Sequence, residues 1–472
     1  SLAPLPLPTG WVKVFEGGLT DTRNTCISDS TTYNGMMYLA TRRSFESPAL
    51  ISGGAEVFRS LDGRNWEPVK SELLQDQDNL GFQFIALDDK LLVMPVTWRG
   101  DQKAAVISTN GITALNNQAL FNGDNHYAFG YALPGQLIFG MNNENGVQIW
   151  AGSNEVELEP VVLDGLGNPN NTSFSNEPRQ PVIFMDHAYL GVTNTRDGGQ
   201  LWKSVDGKNW QQVTLDGIDT SINQSLQPLA VTAGQLIVKA SRWSIDGRLS
   251  VQLFRSKDGL SWEPVVIEIQ NGSMDRFSSI TLEKLGDEVF LAASSDSLDA
   301  FVQGASLVNP LTEGFSVLKS SDGINWQQVT IDGINRQNIQ SAALSSYGGH
   351  LSLMLWDQEK LGQLWLTGDG ANWRKIYESI PRSETAAGFS VFFEKDNLYL
   401  AECDTTAGFS LWQYQLEIPG GAAEEAEAFL GTFASDNQQI NLNRVLIALI
   451  LISLLAVGWL ITKKIAHKPS GR

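Results

Sequence analysis

Five times the chain writes nearly the same seven residues: SLDGRNW from Ser60, SVDGKNW from Ser204, SKDGLSW from Ser256, SSDGINW from Ser320 and TGDGANW from Thr367. A phrase that returns at a near-constant interval marks a chain built from copies of one small unit, none of which can bury its apolar face alone. Asp258, Asp322 and Asp369 follow the preceding copy by 52, 64 and 47 residues. Asp62 and Asp206 lie 144 apart, room for three periods of 48, so two degenerate copies are expected between them. AVISTNGITAL (Ala105–Leu115) and VQIWAGSNEVEL (Val147–Leu158) fill those places, keeping a strand–turn–strand outline without the Trp.

A second element runs in step with the first. Apolar runs follow tight polar turns eight times, from NGMMYLAT at Asn34 and DDKLLVMP at Asp88 to GGHLSLML at Gly348 and KDNLYLAE at Lys395. Each unit therefore reads as four short strands with the repeated phrase at the last turn. That is an all-β repeat fold and predicts an eight-bladed β-propeller, with seven blades as the alternative. A linear solenoid is the rival, but its turns are shorter and it leaves an open edge. The eighth unit ends at its third strand, FSLWQYQLEI (Phe409–Ile418). GWVKVFEGGLTDTRN (Gly10–Asn24) resembles NWQQVTLDGIDTSIN (Asn209–Asn223) and supplies an orphan fourth strand. Pairing the two closes the ring over residues 10–418. Closure also brings Cys26 and Cys403, the two cysteines of the chain, into neighbouring units. A disulfide there is possible, provided the Cα atoms come within about 7 Å.

In the phrase itself, Asp-Gly is the strongest short hairpin signal, because Gly accepts positive φ without steric cost. The Asp carboxylate and Ser hydroxyl accept backbone N–H groups within the turn, and the Trp covers the neighbouring sheet. Asp62, Asp206, Asp258, Asp322 and Asp369 are thus expected to be structural. The phrase resembles the Asp-box (BNR) repeat of sialidase-like β-propellers. The five aspartates match that family's Asp, and Trp66, Trp210, Trp262, Trp326 and Trp373 match its aromatic residue. The departures are a Gly directly after the Asp, and Asn or Ser where the family has Thr. The resemblance implies the propeller architecture; it does not extend to catalytic residues, because the Phe/Tyr-Arg-Ile-Pro motif of sialidases is absent.

The formal net charge of −19 and the lack of any basic stripe before the C-terminus exclude a nucleic-acid surface. Near the end, VLIALILISLLAVGWLIT (Val445–Thr462) is an apolar run of 18 residues, the lower limit for a bilayer-spanning helix. No polar face interrupts it, as a buried soluble helix would require. Arg444 precedes it, and Lys463, Lys464, Lys468 and Arg472 follow. The positive-inside bias then places residues 464–472 in the cytoplasm and the propeller outside, at a cell surface or in a periplasm. On this reading 444–463 is a single transmembrane helix and 419–443 a polar tether. An exported domain needs a signal peptide, and SLAPLPLPTGW has neither a basic nor an apolar leader region. The numbering is therefore expected to start after its removal, or on a sequence that lacks it.

Chemistry is harder to find. The four histidines are too scattered for a metal pair, and DQDNLG (Asp76–Gly81) has leucine where a calcium loop needs its fifth and twelfth ligands. No metal or cofactor is expected. What remains is a loop-rich face carrying Arg and Trp, the composition of binding hot spots. Its candidates are Arg42, Arg43, Trp98, Arg99, Arg196, Arg242, Trp243 and Trp356. The expected role is a membrane-anchored binding or scaffold module that takes a protein or glycan on this face. A sialidase-like glycan-processing enzyme and an accessory or assembly subunit of a membrane complex are the alternatives.

Overall fold

The computed structural model describes residues 10–43, 54–74, 80–87, 89–96, 104–115, 126–133, 135–175, 181–219, 223–243, 249–269, 272–273, 277–294, 314–334, 339–357, 362–379, 386–394 and 397–415. The chain divides into two units, Ser1–Gln415 and Leu416–Arg472. The second lies outside the described residues, and with it the expected tether, apolar helix and tail. Among the described residues no helix is long and apolar enough to cross a membrane.

Among the described residues the first unit is all-β apart from one 3-10 turn, Glu72–Leu74. Among the same residues its strands fall into antiparallel groups, numbered as modules 1 to 8. There are six four-stranded sheets, and a nine-stranded sheet holding module 4, whose first strand is in two pieces (Ser173–Phe174 and Val182–Phe184), and module 5. A short two-stranded sheet, Glu268–Ile269 with Gly272–Ser273, follows module 5 in the sequence. All modules but the eighth are meanders in chain order. Module 1 runs Asn24–Tyr33, Met36–Arg43, Val57–Ser60 and Glu67–Pro68. Modules 4 and 5 are joined into one nine-stranded sheet by the pairing of Thr193 with Ser225. Module 8 takes Ala386–Glu394, Asn397–Asp404 and Ser410–Gln415 from one end of the unit and Trp11–Phe15 from the other. Trp11 stands opposite Tyr414, Val12 opposite Gln413 and Lys13 opposite Trp412. The Trp11 ring also lies 5.1 Å from that of Tyr414, while its Nε1 donates to the Ile376 carbonyl of module 7 at 2.6 Å.

Why the second strands read as unbroken apolar runs is now plain. Successive side chains point to opposite faces, and both faces are covered by a neighbouring module. In module 2, Leu91 and Val93 join the core shared with module 1, whereas Leu92 and Met94 join the core shared with module 3. Leu236 and Val238 of module 5 likewise face module 4, and Ile237 faces module 6. The series continues to module 8, whose Phe389 packs against Trp356 and Tyr377 of module 7. Module 8 in turn packs on module 1, with Tyr399 and Leu411 against Leu39 and Phe58. Cys26 and Cys403 are bonded across that seam, their Cα atoms 4.6 Å apart.

Candidate functional site

The antiparallel order sorts the connections to two ends. First-to-second and third-to-fourth turns share one, the turn end. The second-to-third loops and the links between modules share the other, the loop end.

At the turn end the Asp and the Ser or Thr of the repeated phrase are satisfied within the turn itself. Asp206 Oδ1 accepts from the amides of Lys208 at 2.9 Å and Asn209 at 2.8 Å, and Oδ2 accepts from Asn209 Nδ2 at 2.7 Å. Ser204 Oγ donates to Asp206 Oδ1 at 3.0 Å and accepts from the Gly207 amide at 2.8 Å. The equivalent two backbone amides bind Asp62, Asp258, Asp322 and Asp369, with the Ser261 hydroxyl in place of the Asn amide at Asp258 and the Thr367 hydroxyl in place of the serine at Asp369. For Asp62, Asp258, Asp322 and Asp369, backbone amides of the turn are the leading cause holding the carboxyl well below the ordinary 3.8. At Asp206 burial pushes upward, but the Asn209, Lys208 and Ser204 bonds together outweigh it. Trp66 and Trp210 donate to the carbonyl of their own box glycine at 3.0 Å, while Trp262 donates to Val213 of the preceding module at 3.3 Å.

The glycine has a further task. A Cβ on Gly259 would stand 1.9 Å from the Tyr189 hydroxyl, and one on Gly63 1.8 Å from that of Tyr399. Both tyrosines lie on the second strand of the preceding module, so the bare glycine lets one module's turn rest against the previous module. In the degenerate copy of module 3, Asn154 does the aspartate's work: its Oδ1 accepts from Val156 at 3.0 Å and Glu157 at 3.1 Å.

The loop end holds a second recurring motif, on links that the sequence shows as Gly-Leu or Gly-Ile followed by Asn. Leu19, Leu166 and Ile218 take positive φ at matching places, 70°, 62° and 69°. Asn24, Asn171 and Asn223, each buried, donate Nδ2 to the carbonyls of Gly18, Gly165 and Gly217 at 3.0, 2.8 and 2.9 Å. Around Asn171 an amide network spreads: Nδ2 also reaches Gln200 Oε1 at 2.8 Å, and Oδ1 accepts from Asn194 at 3.0 Å. Asp197 accepts from Asn168 at 3.1 Å and Asn170 at 2.9 Å, and these amides hold its carboxyl below the ordinary range. At the seam Asp21 binds both Arg23 and Arg43, the latter at 3.2 Å. The Arg23 hydrogen bond is the main reason the Asp21 carboxyl falls well below its usual value.

The eight expected binding residues separate on this frame. Arg196 and Arg242 are exposed at the loop end, and Arg42 is half-buried. Arg43 and Trp356 are not on the surface at all. Arg43 is 4% exposed at the end of its strand, and burial lowers the pKa of its guanidinium despite the Asp21 carboxylate beside it. Trp356, 2% exposed, lies 4.5 Å from the Phe389 ring. Their strands, Met36–Arg43 and His350–Asp357, run further than the loop reading allowed. Trp98, Arg99 and the Trp243 side chain lie outside the described residues.

Several carboxylates that sequence reasoning did not single out are employed between modules. Asp29 accepts from the Phe84 amide at 2.7 Å, and Glu283 from the Ser346 hydroxyl at 2.5 Å. Burial raises the Glu283 carboxyl above its ordinary value. Tyr377 donates to Glu402 at 2.5 Å, a Tyr–Glu pair, but the tyrosine is buried on an outer strand between modules 7 and 8. Among the described residues no three His, Cys, Asp or Glu gather to hold a metal.

No protein-family model matches the sequence, nor does any curated protein. Among solved structures, the chain is similar to a Mycobacterium tuberculosis puromycin-hydrolyzing peptidase (11% identity, TM-score 0.45, covering 85% of this chain and 62% of that one). It is similar also to Trypanosoma rangeli sialidase in complex with the inhibitor DANA (13% identity, TM-score 0.34, 91% and 61%). A third is the β-propeller domain of the Trilobed protease from Pyrococcus furiosus (10% identity, TM-score 0.39, 86% and 95%). This chain spans less than two thirds of the first two proteins' length. At these TM-scores the likenesses decide nothing about its chemistry.

Proposed function

We propose that the first unit is an eight-bladed β-propeller closed by its N-terminal strand. It serves as a binding or scaffold module, held at a membrane by Val445–Thr462 and taking a protein or glycan at its loop end. The observation that carries this reading is the division of labour between the two ends. At the turn end the five aspartates, their Ser or Thr partners and the box glycines are occupied within and between modules. At the loop end exposed Arg196 and Arg242 stand on strands and links pinned by buried asparagines, a rigid support for a polar recognition surface. The guanidinium groups of Arg196 and Arg242 there supply planar donors that carboxylates and sugar hydroxyls recognise.

Affinity capture from solubilised membranes tests the reading, with the intact chain beside one ending at Gln415 and beside an Arg196→Glu/Arg242→Glu double variant. The same specific partner held by the first two and lost from the double variant is the expected result. A partner kept by the double variant but lost with residues 416–472 assigns recognition to the tail and favours the accessory-subunit alternative.

A further inference from the structure

Asn-x-Ser/Thr is the form in which exported chains accept an oligosaccharide on asparagine. It occurs here as Asn170-Asn171-Thr172, Asn171-Thr172-Ser173, Asn223-Gln224-Ser225 and Asn271-Gly272-Ser273. Asn271 lies outside the described residues. Asn171 and Asn223 are two of the buried asparagines that pin the links at the loop end.

Both amide protons of each are already bonded. Asn171 Nδ2 donates to the Gly165 carbonyl and to Gln200 Oε1, each at 2.8 Å. Asn223 Nδ2 donates to the Gly217 carbonyl at 2.9 Å and to Asp219 Oδ1 at 3.4 Å. The two residues are 0% and 4% exposed. Glycosylation joins Nδ2 to C1 of the sugar and breaks the bond from C1 to a lipid pyrophosphate, which leaves, while one of the two N–H protons passes to a base. The product therefore loses one of these bonds and carries a sugar ring on the buried nitrogen. No room for a ring exists beside Asn171, where even a Cβ on Gly165 would stand 2.2 Å from the Asn168 carbonyl oxygen. A buried acceptor left without its donor adds a desolvation cost.

Burial in the finished fold gives no protection, because the transferase acts on chains that have not yet folded. We propose that sugar on Asn171 or Asn223 and this fold exclude each other, so that the chain folds in an extracytoplasmic space that it reaches without meeting an oligosaccharyltransferase. The inference rests on reading the first unit as exported and narrows that reading: a periplasm, or a surface reached from one, suits the chain, and the lumen of a eukaryotic secretory pathway does not.

The test sends the full chain, behind a cleavable export signal, into a eukaryotic secretory pathway and into a bacterial periplasm that lacks the transferase. A Thr172→Ala/Ser173→Ala/Ser225→Ala variant travels beside it and keeps every asparagine. Thr172 is exposed, and the Ser225 hydroxyl accepts one bond, from Thr193 at 3.2 Å, so the variant is expected to fold in the periplasm as the wild type does. In the secretory pathway the yield of wild type holding the Cys26–Cys403 bond is expected to fall about fivefold or more below that of the variant. Glycopeptide mass spectrometry of the wild type, which needs no variant, is expected to find sugar on Asn171 or Asn223 only in molecules without that bond. Disulfide-bonded wild type carrying sugar on either asparagine overturns the proposal, and so do equal secretory yields. Failure of both chains in both places, beside folding in a reducing cytosol, overturns the exported reading and this inference with it.

Discussion

Replacing Asp206 with Ala removes the acceptor for two backbone amides, one asparagine amide and one serine hydroxyl, at 2.7 to 3.0 Å. The Lys208 and Asn209 amides are at the surface and turn to water, so the loss is the net value of a few bonds to a charged group, about 1–3 kcal/mol. Spread over about 400 cooperatively unfolding residues at roughly 2 cal/mol/K each, ~2 kcal/mol lowers the thermal midpoint by about 2–3 °C. Asp206→Asn keeps the acceptor for both backbone amides, as Asn154 does in module 3, and is expected to lose less than half as much. Differential scanning calorimetry separates the two variants, and the pH adds a second check. The folded Asp206 carboxyl is held below its unfolded value of 3.8. Its stabilisation is therefore full above about pH 4 and disappears as the pH falls through the folded value. The gap between wild type and the alanine variant must narrow below pH 4. Equal losses for Ala and Asn, or a gap that widens in acid, would refute the account of the turn.

Gly259→Ala forces a Cβ to 1.9 Å from the Tyr189 hydroxyl at φ +69°, whereas Gly35→Ala at φ +74° meets nothing within 4 Å. The first is expected to cost about 2–4 kcal/mol and the second about 1 kcal/mol, measured by the same calorimetry. Cys26→Ser opens a loop of 377 residues. The chain-entropy model puts the loss at up to ~6 kcal/mol, and hydrogen exchange should show it concentrated in modules 1 and 8. Trp11→Ala removes a ring packed edge-on against Tyr377 and tilted against Tyr414 together with its bond to Ile376, and about 3 kcal/mol of stability is expected to go with it.

The strands were legible where burial on both faces writes itself as an unbroken apolar run: each of the eight runs is a second strand in the structure. The box turns were legible because Asp-Gly fixes backbone geometry locally, and the pairing of Trp11–Phe15 with Ser410–Gln415 follows from a missing strand at one end and a spare one at the other. What stayed hidden depends on long-range company. Asn24, Asn171 and Asn223 look like ordinary loop polars, although their alignment behind Gly-Leu or Gly-Ile was there to be seen. Arg43 read as a loop arginine because nothing local marks Asp21 as its partner across 22 residues. Trp356 read as a surface aromatic because the Phe389 that covers it belongs to the next module. Strand ends are where such errors gather, since pairing, not local preference, decides how far a strand runs.

The most direct trial of the account is amide hydrogen exchange at Val12 and Lys13 in the native protein. If the N-terminal segment is the outer strand of the last sheet, as its register opposite Gln413 and Trp412 has it, whichever of these two consecutive amides faces Ser410–Gln415 exchanges slowly and in step with Leu411–Tyr414, while the other, on the sheet's outer edge, exchanges fast. Rapid exchange of Trp11–Phe15 beside a protected Ser410–Gln415 would contradict it.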